Sequence, residues 1–337
     1  MKVSVASCLL VVAGIAQASH HEIIQAKWAT YKAKHGKAYH ATEEAERLKN
    51  YLKATLAIEK HNEAFHRGKS SYKLGHNEFS DRSSEESEML LGWTSMSLEG
   101  LNITDVPPMT GSPLPESVDW RKQNIVTPPK NQGECGSCYA FGTVGAIESA
   151  IAQATGQRLN LAEQQVVDCT FEIRIKKKLN KGCGGGHEMV VMKYVSEHGL
   201  RREGFYRYTS GQTRQHGNCS VSGGRFGKGL KFRRVPANDE EAMAQALATY
   251  GTLVVSLSAE NEHFKLYRSG IYDNPDCPKK PDHLVSLIGY GRENEQDYWI
   301  LKNSWGTTWG EEGFGRLLRG VNQCGIATRA AWSIYFK

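Results

Sequence analysis

The cysteines constrain this chain most. Eight occur in 337 residues, and apart from Cys8 all of them lie beyond residue 130: Cys135, Cys138, Cys169, Cys183, Cys219, Cys277 and Cys324. The start of the chain reads as an export signal, with Lys2, an apolar run from Val3 to Ala13, and a small-x-small cleavage site at Ala16-Gln17-Ala18. The run is too short to cross the ~30 Å of a bilayer core, which takes about 20 apolar residues, and no later segment is long and apolar enough. An exported chain meets an oxidising compartment, where cysteines pair. With Cys8 removed in the leader the count is odd, so one thiol remains.

The chain divides by composition. Residues 1–18 read as the signal. From about His20 to Phe79 there is no cysteine, and Lys, Glu, His and Ala dominate. Leu48, Tyr51, Leu52, Thr55 and Ile58 recur at helical spacing, with Thr42 as a candidate N-cap. Residues 81–115 accumulate Ser, Glu, Gly and Pro and read as an irregular, cleavable linker, with an N-glycosylation acceptor at Asn102-Ile103-Thr104. Residues 19–113 are thus a front unit and 114–337 the main domain. There, Ala140, Phe141, Val144, Ile147 and Ile151 form one apolar helical stripe beginning at Cys138 and ending at Gly156. A second helix is expected from Asn160, with Glu163 completing a capping box. Strands are expected over Thr252–Leu257, Leu284–Tyr290, Tyr298–Lys302 and Gly313–Leu318. A helical half followed by a strand-rich half predicts two lobes with a cleft between them. The formal charge of +6 is mild, and its basic residues are interleaved with acids rather than gathered in a stripe, which argues against nucleic-acid binding.

Cys135 and Cys138 form a C-x-x-C pair. Zinc would need two more closely spaced ligands, which are missing. Thioredoxin-type chemistry would need a preceding strand of a βαβ unit, against which Pro128-Pro129 argues. The third reading bridges Cys135 and leaves Cys138 free at a helix start, where the dipole and unpaired N–H groups favour a thiolate. His283 stands at the mouth of an apolar strand, and Asn303 ends another. An asparagine carbonyl can hold an imidazole in one tautomer, with Trp305 as its shield.

These residues resemble the papain-like cysteine proteases, the cathepsins among them. Gln132-Gly133-Glu134-Cys135-Gly136-Ser137-Cys138-Tyr139 is similar to the family's Q-x-G-x-C-G-S-C-[WY] motif. Gly182-Cys183-Gly184-Gly185-Gly186 matches G-C-x-G-G, Asp282-His283 with Gly289-Tyr290-Gly291 matches the histidine motif, and Asn303 to Gly310 match N-S-W-G-x-x-W-G. In the front unit, Glu43, Arg47, Tyr51, Ala54, Ile58 and Asn62 follow the family's E-R-F-N-I-N pattern, and Gly75, Asn77, Phe79 and Asp81 follow G-x-N-x-F-x-D.

The resemblance implies an α+β, two-lobed papain-like fold, with a helical lobe and a β-barrel-like lobe, behind a helical inhibitory prosegment. It implies peptide-bond hydrolysis through a thioester, with Cys138 as nucleophile, His283 as base, Asn303 as its orienter, and Gln132 with the Cys138 amide as oxyanion hole. It implies disulfides Cys135–Cys183, Cys169–Cys219 and Cys277–Cys324. No metal or cofactor is implied. The partners are protein and peptide substrates, the chain's own prosegment and cystatin-like inhibitors; the enzyme would be a lysosomal or secreted monomer. Substrate would lie along Gly184, Gly185 and Gly186 and beside Trp305. Its second residue would enter a pocket walled by His187, Glu188, Ser256 and Leu284 and based on Arg329. A basic floor would favour an acidic side chain there, unless Arg329 pairs with Glu188 or turns to solvent.

The chain departs from the pattern at Tyr139 for Trp, Tyr51 for Phe and Ala54 for Asn, the last of which removes a prosegment hydrogen bond. It also carries a basic insert at Arg174, Lys176, Lys177, Lys178 and Lys181, read as a solvated loop. No His-rich insert follows Cys183, so an endopeptidase is expected over an exopeptidase. A catalytically silent binding protein on the same fold would lack the nucleophile or its histidine, and a free inhibitor would lack the main domain. Release of the prosegment is expected in acid, through carboxylate contacts that include Asp81.

Overall fold

A computed structural model describes residues 21–107, 113–171, 173–175, 178–220 and 223–336. The leader and its cleavage site, and Lys176 and Lys177 of the basic insert, lie outside the described residues.

The front unit is built on helices α1 (21–34) and α2 (Ala41–His66), strand β1 (Tyr72–Leu74) and helix α3 (Ser84–Glu88). Trp28, Tyr31 and Tyr51 form its private core. Farther along the same buried face of α2, Ala54 and Ile58 join Tyr72, Leu74, Phe79 and Leu90 in the apolar core of the main domain's sheet. Ala54 is therefore a buried packing residue here. Helix α2 starts after His40 with no side-chain cap, so Thr42 lies inside it. Asn62 closes two hydrogen bonds with Leu74, one to its carbonyl at 3.0 Å and one from its amide at 2.9 Å, pinning β1 to the helix.

The expected linker is more ordered than its composition predicts. Ser83 and Glu86 form a capping box that starts α3, and Glu86 also takes both Nη atoms of Arg47 at 2.5 Å. Asp81 is fully buried, but its partners Tyr31, Lys37 and Tyr39 all belong to the front unit. Its carboxylate holds that unit together rather than binding it to the main domain.

In the main domain β2 (Val118–Asp119) precedes helix α4 (Cys138–Thr155), which is buried on nearly every side, as a helix apolar all round must be. It is followed by α5 (Glu163–Cys169), the hairpin β3 (Arg174–Ile175) and β4 (Lys178–Leu179), α6 (Glu188–His198) and the short α7 (Ser210–Thr213). The basic insert is thus partly a hairpin. Helix α5 begins three residues later than expected. Glu163 forms no capping box because Lys130 takes its carboxylate at 2.6 Å, and Ala162 is the uncapped N-terminus.

Next come β5 (Lys231–Val235), α8 (Glu240–Tyr250), β6 (Leu253–Leu257), α9 (Glu262–Lys265), β7 (Tyr267–Tyr272), β8 (His283–Glu293), β9 (Gln296–Lys302), β10 (Phe314–Leu318) and β11 (Ala331–Tyr335). The strand order is β1-β7-β10-β9-β8-β6-β11-β5, with β2 beside β8. The front unit thus supplies the edge strand, β1, antiparallel to β7. The four expected strands are present: β8 and β9 extend beyond the expected bounds by up to three residues at an end, and β6 and β10 each begin one residue later. Strands β5, β7 and β11 carry too many charged or small residues to show a period of two. Three disulfides join Cys135 to Cys183, Cys169 to Cys219 and Cys277 to Cys324, and Cys138 is a buried free thiol. Among the described residues no helix is long and apolar enough to cross a membrane, and no group of His, Cys, Asp and Glu is placed to hold a metal.

Helix α4 lies directly on β8. A Cβ on Gly142 would stand 3.1 Å from the Leu284 carbonyl carbon and oxygen, and one on Gly145 would stand 2.8 Å from Ser286 Oγ. Ser286 Oγ donates to the Gly142 carbonyl at 2.9 Å. Gly142→Val should cost about 1–3 kcal/mol through overpacking and lower Tm by roughly 2–10 °C; an unchanged thermal unfolding curve would show that the contact does not need a bare helix face.

The front unit also buries neutral histidines. His76 stacks on Tyr51 at 4.5 Å, its Nε2 reaches Thr55 Oγ1 at 3.2 Å, and its buried Nδ1 makes no hydrogen bond. Burial first, then His35, Lys27 and Lys34, push its pKa down to about 4. Because the folded value lies below the unfolded one near 6.5, this stability is present above 6.5 and drains away as pH falls toward 4. His76→Phe should keep the front unit folded in more acid solution, moving the midpoint pH of precursor processing down by at least about half a unit; an unmoved midpoint on gels assigns the acid response to other groups.

Candidate active site

The register of α4 on β8 brings two chain ends together. Cys138 is the first residue of α4, one turn before Gly142, and His283 is the first residue of β8, one before Leu284. Both are fully buried. Burial pushes the Cys138 thiol up to about 12, against the nearby backbone of Leu284, Gly92 and Tyr139, which pulls it down, and the charge of Asp282 adds to the rise.

His283 Nε2 lies 2.8 Å from Asn303 Oδ1. The same oxygen accepts from the Ser304 amide at 2.8 Å, which fixes the orientation of the asparagine. An amide oxygen only accepts, so Nε2 carries the imidazole proton and Nδ1 keeps its lone pair. Nδ1 is buried and makes no hydrogen bond. Trp305 covers the ring at 4.7 Å between centroids. Burial pushes His283 down to about 4, against the pull of Asn303. In this form of the molecule the pair is therefore a thiol beside a neutral imidazole.

Gln132 is held at both ends. Its Oε1 accepts from Ser304 Oγ at 2.7 Å, and its Nε2 donates to the Cys135 carbonyl at 2.8 Å and to the Leu90 carbonyl at 2.9 Å. Leu90 belongs to the front unit, whose chain runs on through the cleft. The Gly186 amide donates to the Gly92 carbonyl at 2.8 Å, Trp93 N–H donates to the Asp282 carbonyl at 3.0 Å, and Thr94 N–H donates to the Gly186 carbonyl at 3.0 Å. A Cβ on Gly92 would fall 1.7 Å from the Gly136 carbonyl oxygen, so only glycine passes over the thiol so closely. Of the three glycines expected along the substrate, Gly186 makes the backbone bonds. Gly185 packs under Gly92, and the Gly184 amide donates to the Lys181 carbonyl at 3.0 Å.

The side chain of Trp93 enters a cavity of about 390 Å³ lined by His187, Glu188, Arg234, Arg329 and Trp332, among others. Arg329 is exposed, while Glu188 is 3 % exposed and accepts from both the Trp93 and Trp332 indoles. The two residues thus have different surroundings. Ser256 and Leu284 face each other across β6 and β8, apart from the lining of that cavity. Sequence reasoning missed Leu90, Gly92, Trp93 and Trp332. The first three were absorbed into a linker, though Leu90-Leu91-Gly92-Trp93 is an apolar island within it.

The family profile described as papain family cysteine protease matches residues 114–334. The chain belongs to the papain family of cysteine proteases. Residues 28–87 match the cathepsin propeptide inhibitor domain. The chain is 38% identical to Cathepsin L of Sarcophaga peregrina, over 96% of this chain and 97% of that one, and 36% identical to Cathepsin L2 of Homo sapiens, over 92% of each. Among solved structures, digestive procathepsin L2 proteinase from Tenebrio molitor larval midgut matches with a TM-score of 0.83 at 34% identity, covering 93% of this chain and all of that one. The protein is a cathepsin L-like cysteine protease made as a proform, with its own inhibitor domain lying across the cleft.

Reactivity should follow the cover. With the thiol near 12 the precursor holds almost no thiolate at neutral pH. A thiol-alkylating reagent should modify Cys138 at least 100-fold faster after processing than before; equal rates would show that the front segment does not control ionisation.

Proposed function

We propose that Cys138, His283, Asn303 and Gln132 divide the work of peptide-bond hydrolysis as follows. With the front segment gone, Cys138 passes its proton to His283 Nδ1, and the thiolate attacks the scissile carbonyl carbon. The developing oxyanion is met by Gln132 Nε2 and the Cys138 amide. His283 returns the proton to the leaving amine as the C–N bond breaks, leaving a thioester that water then hydrolyses with His283 again as base. Asn303 keeps the proton on Nε2 throughout. The observation that carries this reading is the pairing of His283 Nε2 with Asn303 Oδ1, which leaves Nδ1 as the basic atom.

The Leu90 carbonyl on Gln132 supports the oxyanion role, because the inhibitory segment places a carbonyl oxygen where substrate would place one. Residues 19–113 then act as the prosegment, with processing near 113–114 giving a mature endopeptidase. We place it in the lysosome or outside the cell. The three disulfides and exposure of Asn102 support export and glycosylation. A cleft already built to hold an inhibitory segment suits cystatin-like inhibitors, and the mature enzyme is proposed to act as a monomer.

Acid-processed protein should cleave short fluorogenic peptides. Cys138→Ser should abolish this, and Gln132→Ala should lower kcat by about 10²–10³ with little change in KM. A Gln132→Ala enzyme with wild-type kcat would remove that side chain from the oxyanion site.

A further inference from the structure

The carboxylate of Glu188 has two oxygens with different futures. Oε1 accepts at 3.0 Å from Trp332, a permanent residue of β11. Oε2 accepts at 2.7 Å from Trp93, which leaves with the front segment. His187 Nδ1 lies 3.4 Å from the same Oε2 and accepts from the Met189 amide at 3.1 Å. Processing therefore uncovers a carboxylate oxygen in a cavity that keeps the Trp332 indole and the apolar Pro236 and Ala330 beside Arg234 and Arg329, next to the Gly186 backbone that pairs with Trp93.

We propose that Glu188 is the specificity-determining residue of this cavity, and that it selects substrates whose side chain there is aromatic and carries a hydrogen-bond donor, tryptophan first. The inference rests on the catalytic roles proposed above and names the substrate class of that site. A buried acceptor left without a donor is costly, so a site of this kind discriminates against analogues that lack one. Phe or Leu would fill the space and leave Oε2 bare. A guanidinium would supply donors, but Arg234 and Arg329 stand at the cavity's lining, and Arg234 loses its partner Asp105 with the front segment. Arg329, being exposed, does not reach Glu188 in an ion pair among the described residues, so the charge that reads the substrate from within is acidic.

The experiment uses processed wild type, Glu188→Gln and Glu188→Met on peptides that differ only at the second residue before the cleaved bond: Trp, Phe, Leu and Arg. In the wild type kcat/KM for Trp should exceed that for Phe by at least about tenfold. The Trp-to-Phe ratio should fall to about one in Glu188→Met and to a few-fold in Glu188→Gln, which retains one acceptor. The ratio is internal to each variant, and Glu188→Gln carries the test if Glu188→Met does not fold. A wild-type ratio near one, a ratio untouched by either substitution, or faster cleavage after Arg than after Trp overturns the inference while leaving the protease roles standing. Failure of the processed wild type to cleave any of the four overturns both.

Discussion

The active site depends on one close contact, helix α4 lying on strand β8 with no helix side chain between them at Gly142 and Gly145. Gly142 and Gly145 provide it, and the Ser286 hydroxyl fastens it. The two elements come from different lobes, so nothing local in either would place Cys138 near His283. A helix advances 1.5 Å per residue and a strand about 3.3 Å. Matching Gly142 to Leu284 and Gly145 to Ser286 therefore means that the two run the same way, with Cys138 about 6 Å before Gly142 and His283 about 3.3 Å before Leu284, at the same end of the contact. The cleft opens at that end. The helix contributes the uncapped N–H groups of its first turn at the point where a thiolate will form. The strand contributes an imidazole whose outer nitrogen is already committed to Asn303.

Behind this contact lies a buried ionic cluster. Lys130 Nζ reaches Glu148 at 2.7 Å and Glu163 at 2.6 Å, while Lys302 Nζ donates to Thr127 at 2.6 Å and lies 3.8 Å from Glu148. Two carboxylates and two ammoniums balance. Burial raises the Glu148 carboxyl, but Lys130 and Lys302 outweigh it and hold the net value below the ordinary range. Glu163, with one cation and an adjacent carboxylate, is pushed up to about 7, mainly by burial. Such a cluster is weak evidence for stability by itself, since desolvation offsets most of the attraction. Its value here is positional. Glu148 also accepts from the Leu161 amide, and Lys302 immediately precedes Asn303, so helix α4, the start of α5 and the end of β9 are tied at one point under the site.

Much of this was legible in the sequence because the chemistry needs residue types that stand out singly. An odd cysteine at a helix start, a histidine opening an apolar strand and an asparagine closing another are rare enough to be noticed. The lobes were legible for the same reason as any helix or strand, through period. What was lost is instructive. Residues 81–94 carry the sequence signs of a linker, yet Ser83 and Glu86 cap a short helix there, and Leu90 to Thr94 run through the cleft, ordered by bonds to the main domain rather than by their own pattern. Asp81 was expected to contact the cleft and instead binds Tyr31, Lys37 and Tyr39 within its own unit. Glu163 has the spacing of a capping box, but a buried Lys130 competes for its carboxylate, and a tertiary ion pair prevails over a local bond. Periodicity cannot report such competition, since it says which face is buried and not against what.

The cavity beside Gly186 shows where sequence alignment of a pocket stops short. Placing a residue in a wall says nothing about which atoms face inward. By position Glu188 falls on a wall and Arg329 at the base, and the natural expectation gives the cation the decisive part. Burial reverses the order. An exposed guanidinium interacts through water, where a unit charge at 4 Å is worth about 1 kcal/mol. Glu188, 3 % exposed beneath Trp93, acts instead through a directed hydrogen bond to the inserted indole. The same inserted indole explains the economy of the precursor. Trp93 satisfies Glu188, Leu90 satisfies Gln132, and Gly92 satisfies the Gly186 amide. The inhibitory segment thus holds the cleft by occupying, one by one, the polar atoms that catalysis and recognition will later need.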